Sequence, residues 1–581
     1  MIGVLVHSTQ EEIAREFFEL FKTPWEFCKS GQRYDVLIST RDEWPHDQAN
    51  LTLLFNAERI SFDADNRIPV RACSEGTALS YGGRRFPIYG KAVTFPASRL
   101  ALLDDERGQQ SMAWMSDSGH PAVVRLGYDL YEEVRWLLSA GQPPANAGTP
   151  ALELHIALLR ELITRSGMPL VEIPPIPDGY NLIACLTHDI DHPVLRNHFM
   201  DHTMLGFLYR ATVGSVMEVC RGRKGVGSLC KNWGAAAKLP LVYLGMARDP
   251  WRGFVRYLEM EEGLGSTYFV MPQREYAGRC ADGPAPAKRA SRYAVSDITS
   301  ELKEIVSRGN EVALHGIDAW LDPDSARKEQ QELTRALGDA GSGVRMHWLF
   351  LDGNSPALLE KAGFSYDASV GYNETVGYRA GTAQAYKPCG TATLLELPLQ
   401  VMDTALFFPE FLNLSEADAE HLVWGLLDDV ARFGGALTIN WHDRSIAPER
   451  LWAGFYLKLL SELKKRGAWS PTAAQAVSWF RKRRSVTFGP VSWEEGQVSL
   501  SASASTDLES PGLRFRVHRP QAYNLIDEPP RNSSAAFVDL GFKTNLDKNI
   551  TLTAFGSRNA CCWVAQDGGL QPPLAQPVSA N

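Results

Sequence analysis

The run "ACLTHDIDH", Ala184 to His192, carries an apolar stretch straight into Thr187, His188, Asp189, Asp191 and His192 with no turn signal between. Carboxylates and imidazoles at a strand end are the donor set of a divalent-metal site, zinc first among the ions, and an open coordination position there activates water. Three other strand-like runs close in the same way: "EVALH" on His315, "VRMHWL" around His347 and "ALTINWH" on His442. In parallel βα architectures the C-terminal strand ends meet at one face, where active sites are built. Four strands far apart in the chain would then deliver acids and imidazoles to one place. A lone histidine is more often a packed, hydrogen-bonded residue; a position repeated at four strand ends needs a common cause. Each role has a plainer rival. Asp189 and Asp191 could cap the next helix or pair with an arginine. Arg345 could pair with Asp367, His442 could anchor its strand, and Trp348 and Trp441 could serve barrel packing rather than stack on a ligand.

The elements that must hold these residues follow a changing rhythm. Residues 1–175 mix short apolar runs ("IGVLV", "YDVLIS", "LTLLF") with helical patterns, an α/β domain without the G-x-G-x-x-G turn of a dinucleotide site. "PLVEIPPIPDGYN" reads as a linker. Over 176–484 strand-like and helical patterns mostly alternate, and several strands are continuous apolar runs, as when both faces are covered. Six or seven βα units in roughly 300 residues point to a barrel rather than an open sheet. Beyond "FRKRRS" the period becomes two, so 485–581 is expected to form a small all-β, sandwich-like domain ending in a loose tail.

The totals narrow the functional classes. With 581 residues and a net charge of −9, the chain has room for several domains and lacks the basic excess of a nucleic-acid binder. The start lacks the pattern of a secretory signal, no stretch reaches 18 uninterrupted apolar residues, and nine scattered cysteines suit reduced thiols. A cytoplasmic setting is expected. Residues 196–252 stand apart, with nine Lys and Arg against three acidic residues and the apolar runs "MLGFLY" and "AAAKLPLVYLGMA". A helical excursion over the barrel rim accounts for that composition; so does an amphipathic surface on anionic lipid at the inner face of the membrane.

On its motifs the chain resembles the polysaccharide deacetylase family, in a divergent branch whose first motif reads H-D-x-D. His188-Asp189-Ile190-Asp191 matches it, with one residue between the carboxylates. "NEVALHGIDAW" matches the strand that supplies the family's first metal histidine, His315, but Ala319 stands where the second histidine belongs. "GVRMHWLFLD" places Arg345 in the arginine motif, with His347 where the family has proline. "LLEKAGFSYDASVGY" continues the match, "VGYRAGTAQAYKP" brings Arg379, and "ALTINWHD" brings His442. The match is good over 180–484 and weak before it.

The resemblance implies a distorted (β/α)7 barrel, which would stand between the N-terminal α/β domain and the C-terminal all-β domain read from the pattern above. It implies Asp189 as catalytic base, Asp191 and His315 as metal ligands, Arg345 as the partner of Asp189, and His442 as the acid for the leaving amine. The third ligand is left to His192 or His347, with His188 behind them, and Arg379 and Trp441 are candidates for substrate contact. The activity implied is metal-dependent removal of N-acetyl groups from amino sugars of a cell-surface polysaccharide or its precursor. Two alternatives stay open: an inactive carbohydrate-binding barrel, and an amidohydrolase acting on a non-sugar C–N bond.

Overall fold

The computed structural model describes residues 1–553 except 46–47, 74–75, 97–103, 106–109, 116–121, 223–224, 339–340, 448, 451, 495–496, 504–509, 519–536 and 543–547. The tail expected after residue 567 lies outside the described residues. The N-terminal region holds a six-stranded, mostly parallel sheet with the long helices Glu11–Phe21, Leu130–Ser139 and Ala151–Arg165 packed into its core, and a second, antiparallel six-stranded sheet.

The central sheet is parallel throughout. Its strands are β1 (Leu182–Ile190), β2 (Ser266–Val270), β3 (Glu311–Gly316), β4 (Gly343–Met346), β5 (Tyr366–Asp367), β6 (Leu395–Glu396), β7 (Val401–Met402) and β8 (Ala436–Asn440), with Ala468–Trp469 beside the start of β1. They pair in the order β6-β5-β4-β3-β2-β1-β8-β7. The segment 395–402 joins the two ends of this order. Leu397 and Leu399 donate to the Asp367 and Val370 carbonyls, and Gln400 donates to that of Thr438. The sheet is therefore curled rather than open, and its carboxyl ends share one rim.

Period two then sorts the side chains. Ile183, Cys185, Phe269, Ala313, Tyr366 and Ala436 belong to one buried cluster; Leu182, Ala184, Leu186, Tyr268, Leu314 and Ile439 belong to another with the surrounding helices. The first set lines the inside of the curl. At its floor there is no room to spare: a Cβ on Gly343 would lie 2.0 Å from the Tyr366 ring.

Two features depart from the expectation. Leu170–Glu172, read as part of a linker, is a buried strand paired antiparallel with Leu513–His518, and Ile173 is buried behind it. Its partner lies more than 340 residues away, a pairing that no local pattern announces. Among the described residues the C-terminal strands form two three-stranded antiparallel sheets, one of which takes in Leu170–Glu172. Arg483, near the end of the central region, ties it to the N-terminal one, donating to the carbonyls of Ile173, Glu19 and Leu20.

Candidate metal centre and catalytic groups

The D-x-D spacing has a geometric consequence. Along an extended chain i, i+2 and i+4 point the same way, so Thr187, Asp189 and Asp191 enter the curl while His188 and Ile190 leave it. The same parity carries His315 on β3, Arg345 and His347 on β4 and just beyond it, and Asn440 and His442 at the end of β8. Four strand ends thus empty into one site.

Three atoms converge there. His347 Nδ1 lies 3.0 Å from His315 Nε2, and Asp191 Oδ1 lies 3.4 Å from the latter and 3.5 Å from the former. His315 Nδ1 donates to the Arg345 carbonyl at 3.0 Å, and a carbonyl can only accept, so Nε2 faces the other two groups with its lone pair. Asp191 Oδ1 is buried without a hydrogen-bond partner among the described residues. The triangle has its corners about 1.9 Å from its centre, just inside the ~2.0–2.1 Å at which nitrogen and oxygen ligands hold zinc. These residues fit a divalent cation. Burial lowers the pKa of His347 to about 3, only partly countered by Asp191, so it is neutral, the form that ligates. Burial alone would raise that of Asp191, but His347, His315 and His442 outweigh it and keep the carboxylate ionised.

Asp189 sits beside this group under different restraint. Arg345 Nη1 donates to its Oδ1 at 3.0 Å, Asn440 Nδ2 donates to Oδ2 at 2.7 Å, and Oδ2 lies 3.8 Å from His315 Nε2. Burial opposes the charge, yet His315, Arg345 and His442 hold the carboxyl below the usual range. Arg345 is fully buried, donates also to Thr187 Oγ1 and the Ala368 carbonyl, and lies over the Phe269 ring.

Opposite stands His442. Its Nε2 is 3.8 Å from Asp191 Oδ2, and its Nδ1 bonds Asp403 Oδ1 at 2.6 Å, while its own N–H donates to Asp403 Oδ2 at 2.7 Å. Burial would lower its pKa; Asp403 overrides that and raises it to about 9. Asp403, fully buried immediately after β7, was not among the residues singled out from sequence. Strand-end position would have found it, but a two-residue strand leaves little pattern to read. Asn440 was missed for want of charge.

The other candidates fall elsewhere. His192 Nδ1 lies 3.2 Å from His198 Nε2, which places its ring with the excursion rather than with the converging atoms. His188 faces outward, between the Trp441 carbonyl and Glu261 and stacked on Tyr257. Trp441, expected as a substrate contact, is fully buried and stacked on Phe455 and Tyr456; odd-even alternation beside Asn440 and His442 turns it into the helical layer. Arg379 donates to the Gly371 carbonyl, and its own carbonyl accepts from Gln142, at the seam with the N-terminal region. Trp348, half-buried beside His347, has φ of 62°, and Leu349 follows at 55°. Two successive left-handed residues without glycine are strained backbone held next to a functional group. Ala319 is fully buried, its Cβ close above Gly316.

No family model matches the chain, and no curated protein does. Among solved structures it is similar to a protein from Mycobacterium smegmatis named as a polysaccharide deacetylase, at 20% identity and TM-score 0.33 over 53% of this chain and 95% of that one. It is similar to an allantoinase at 14% identity and TM-score 0.33, over 55% and 95% of the two chains. A third likeness is to a family 4 carbohydrate esterase from Streptomyces lividans, 16% identical at TM-score 0.23 over 39% and 86%.

Proposed function

We propose that this protein is a metal-dependent hydrolase that removes N-acetyl groups from amino sugars of a polysaccharide or its precursor. The observation that carries the reading is the convergence of Asp191 Oδ1, His315 Nε2 and His347 Nδ1 between a restrained carboxylate, Asp189, and an acid held ready, His442. Asp191, His315 and His347 would hold a divalent ion, zinc first, with His347 in the role left vacant by Ala319. Such an ion lowers the pKa of bound water and polarises a carbonyl oxygen.

The remaining work falls to this chain's own groups. Asp189 Oδ2 takes the proton from the attacking water, since Arg345 and Asn440 keep it ionised and fixed in direction. His442 Nε2 gives a proton to the departing amine, and Asp403 at Nδ1 keeps that proton on the ring near neutral pH. Acetate and a free amino sugar leave. Trp348, at the rim beside His347, is the aromatic side chain placed to lie against a sugar ring.

The test is metal content followed by acetate release. Wild type is expected to hold about one equivalent of divalent metal, as a single site requires, and Asp191→Ala and His315→Ala are expected to hold none. Acetate release from N-acetylated oligosaccharides should follow the metal. A wild type that stays empty after incubation with zinc, manganese and cobalt would overturn the reading.

A further inference from the structure

Twelve of the eighteen large apolar side chains exposed among the described residues lie between Phe199 and Met246. Their placement is regular. His202–Tyr209, Arg210–Gly214 and Ser215–Cys220 follow one another as a single helical run. One side of it buries Thr203, Met204, Phe207, Ala211 and Ser215. The other side presents Leu205, Tyr209, Val213 and Val216 at 54, 54, 52 and 38% exposure. Steps of four, four and three residues keep these on one face, where a water-facing helix would carry polar groups. The helix Val226–Ala237 repeats the pattern two turns apart, with Val226 and Trp233 at 65 and 50%. Leu244 and Met246 follow at 71 and 74%. An apolar surface of this extent marks a place of contact.

Charge says with what. This stretch has nine basic residues and three acidic ones in a chain of net charge −9. All three acids are occupied locally, Glu218 by Arg221 one turn on. Asp201 caps the first helix through the Met204 N–H and accepts from His198 Nδ1. Asp249 accepts from the Leu195 and Arg196 N–H groups and so clasps the two ends of the excursion together. Arg196, Arg221, Lys231, Lys238 and Arg248 are exposed. A second copy of this chain would bring the same basic surface against it, and like charge opposes that pairing. Basic side chains among exposed apolar ones suit an anionic bilayer interface.

The clasped neck lies just beyond Asp191, since His192 Nδ1 meets His198 Nε2 at 3.2 Å. We propose that residues 196–252 form a lobe that docks this protein on an anionic membrane surface, with the metal centre at its neck. The docking stands apart from the chemistry proposed for the site. If both hold, the substrate is a glycan carried on a lipid.

The experiment is flotation of the full-length protein with vesicles of phosphatidylcholine alone or mixed with phosphatidylglycerol. Flotation is expected with the mixed vesicles only, weakening as salt is raised. Leu205→Glu with Val213→Glu should cut the bound fraction at least about tenfold, and Lys231→Glu with Lys238→Glu about fivefold per charge. All four side chains are exposed, so urea midpoints should match wild type, which separates lost docking from lost folding. Absence of flotation with mixed vesicles overturns the proposal, and so does equal flotation of wild type and both variants. A dimer that Leu205→Glu with Val213→Glu dissolves, without lipid binding, overturns it in favour of a second copy.

Discussion

Asp403→Asn is the most informative single change, because it separates charge from shape at His442. The amide keeps the length of the side chain but no longer favours imidazolium at Nδ1, 2.6 Å away. With Asp403 the pKa of His442 stands at about 9; without it the ring falls back toward the ordinary ~6.5, since burial is then opposed only by the more distant Asp191 and Asp189 carboxylates. At pH 8 the protonated fraction drops from about nine-tenths to about 3%, a loss of about 30-fold in kcat/KM if His442 is the acid. At pH 6 the same arithmetic gives a loss of less than about twofold. The assay is the pH profile of acetate release, wild type against variant; a bound cation displaces both profiles alike, so their difference is the diagnostic. A second readout needs no substrate. The folded-state pKa lies above the unfolded one, so the pair's stabilisation is full below pH 6.5 and is lost as pH rises through about 9. It amounts to ~3 kcal/mol at pH 6, ~1.4 kcal/mol at pH 8 and nearly nothing at pH 10, and urea midpoints of the two proteins should converge accordingly. A defect of equal size at pH 6 and pH 8, in rate and in midpoint, would refute the reasoning.

Further expectations concern the neighbours. His347→Ala should abolish metal binding while His192→Ala keeps about one equivalent, measured by elemental analysis after dialysis; the reverse pattern would exchange the two histidines. Asp189→Asn should retain the metal yet lose roughly 10²–10⁴-fold in acetate release, the worth of a positioned base. Arg345→Met should destabilise by ~3–5 kcal/mol in urea titrations, the cost of leaving a buried carboxylate unpaired, and Asp189→Asn in the same chain should recover part of it. Trp441→Ala should lower the urea midpoint by an equivalent of ~3–5 kcal/mol through a cavity against Phe455 and Tyr456, with KM unchanged; a raised KM in a stable variant would return Trp441 to substrate contact.

Much of this site was already written along the chain. Apolar runs alternating with helical patterns foretold a parallel sheet, and polar residues at strand ends foretold a shared rim. Period two also carries more than was taken from it. Counting in steps of two from Asp191 includes Asp189 and Thr187 and leaves out His188; from His442 it includes Asn440 and leaves out Trp441. That rule is local and exact in its spacing, so sequence alone could sort each strand's residues into two faces. It could not say which face turns inward, because that depends on how the sheet curls. The same count sets His192 apart from Asp191, on the side of His188, but it could not show that His347 comes to lie beside His315. That is decided by contacts between residues far apart: His347 meets His315 from the next strand, whereas His192 is drawn to His198 by the clasped neck of the excursion. Asp403 stayed hidden for the same reason, since its meaning comes from His442, 39 residues on. Covalent spacing set which side chains share a face; only closure of the sheet through 395–402, a set of hydrogen bonds between distant segments, decided which of them meet.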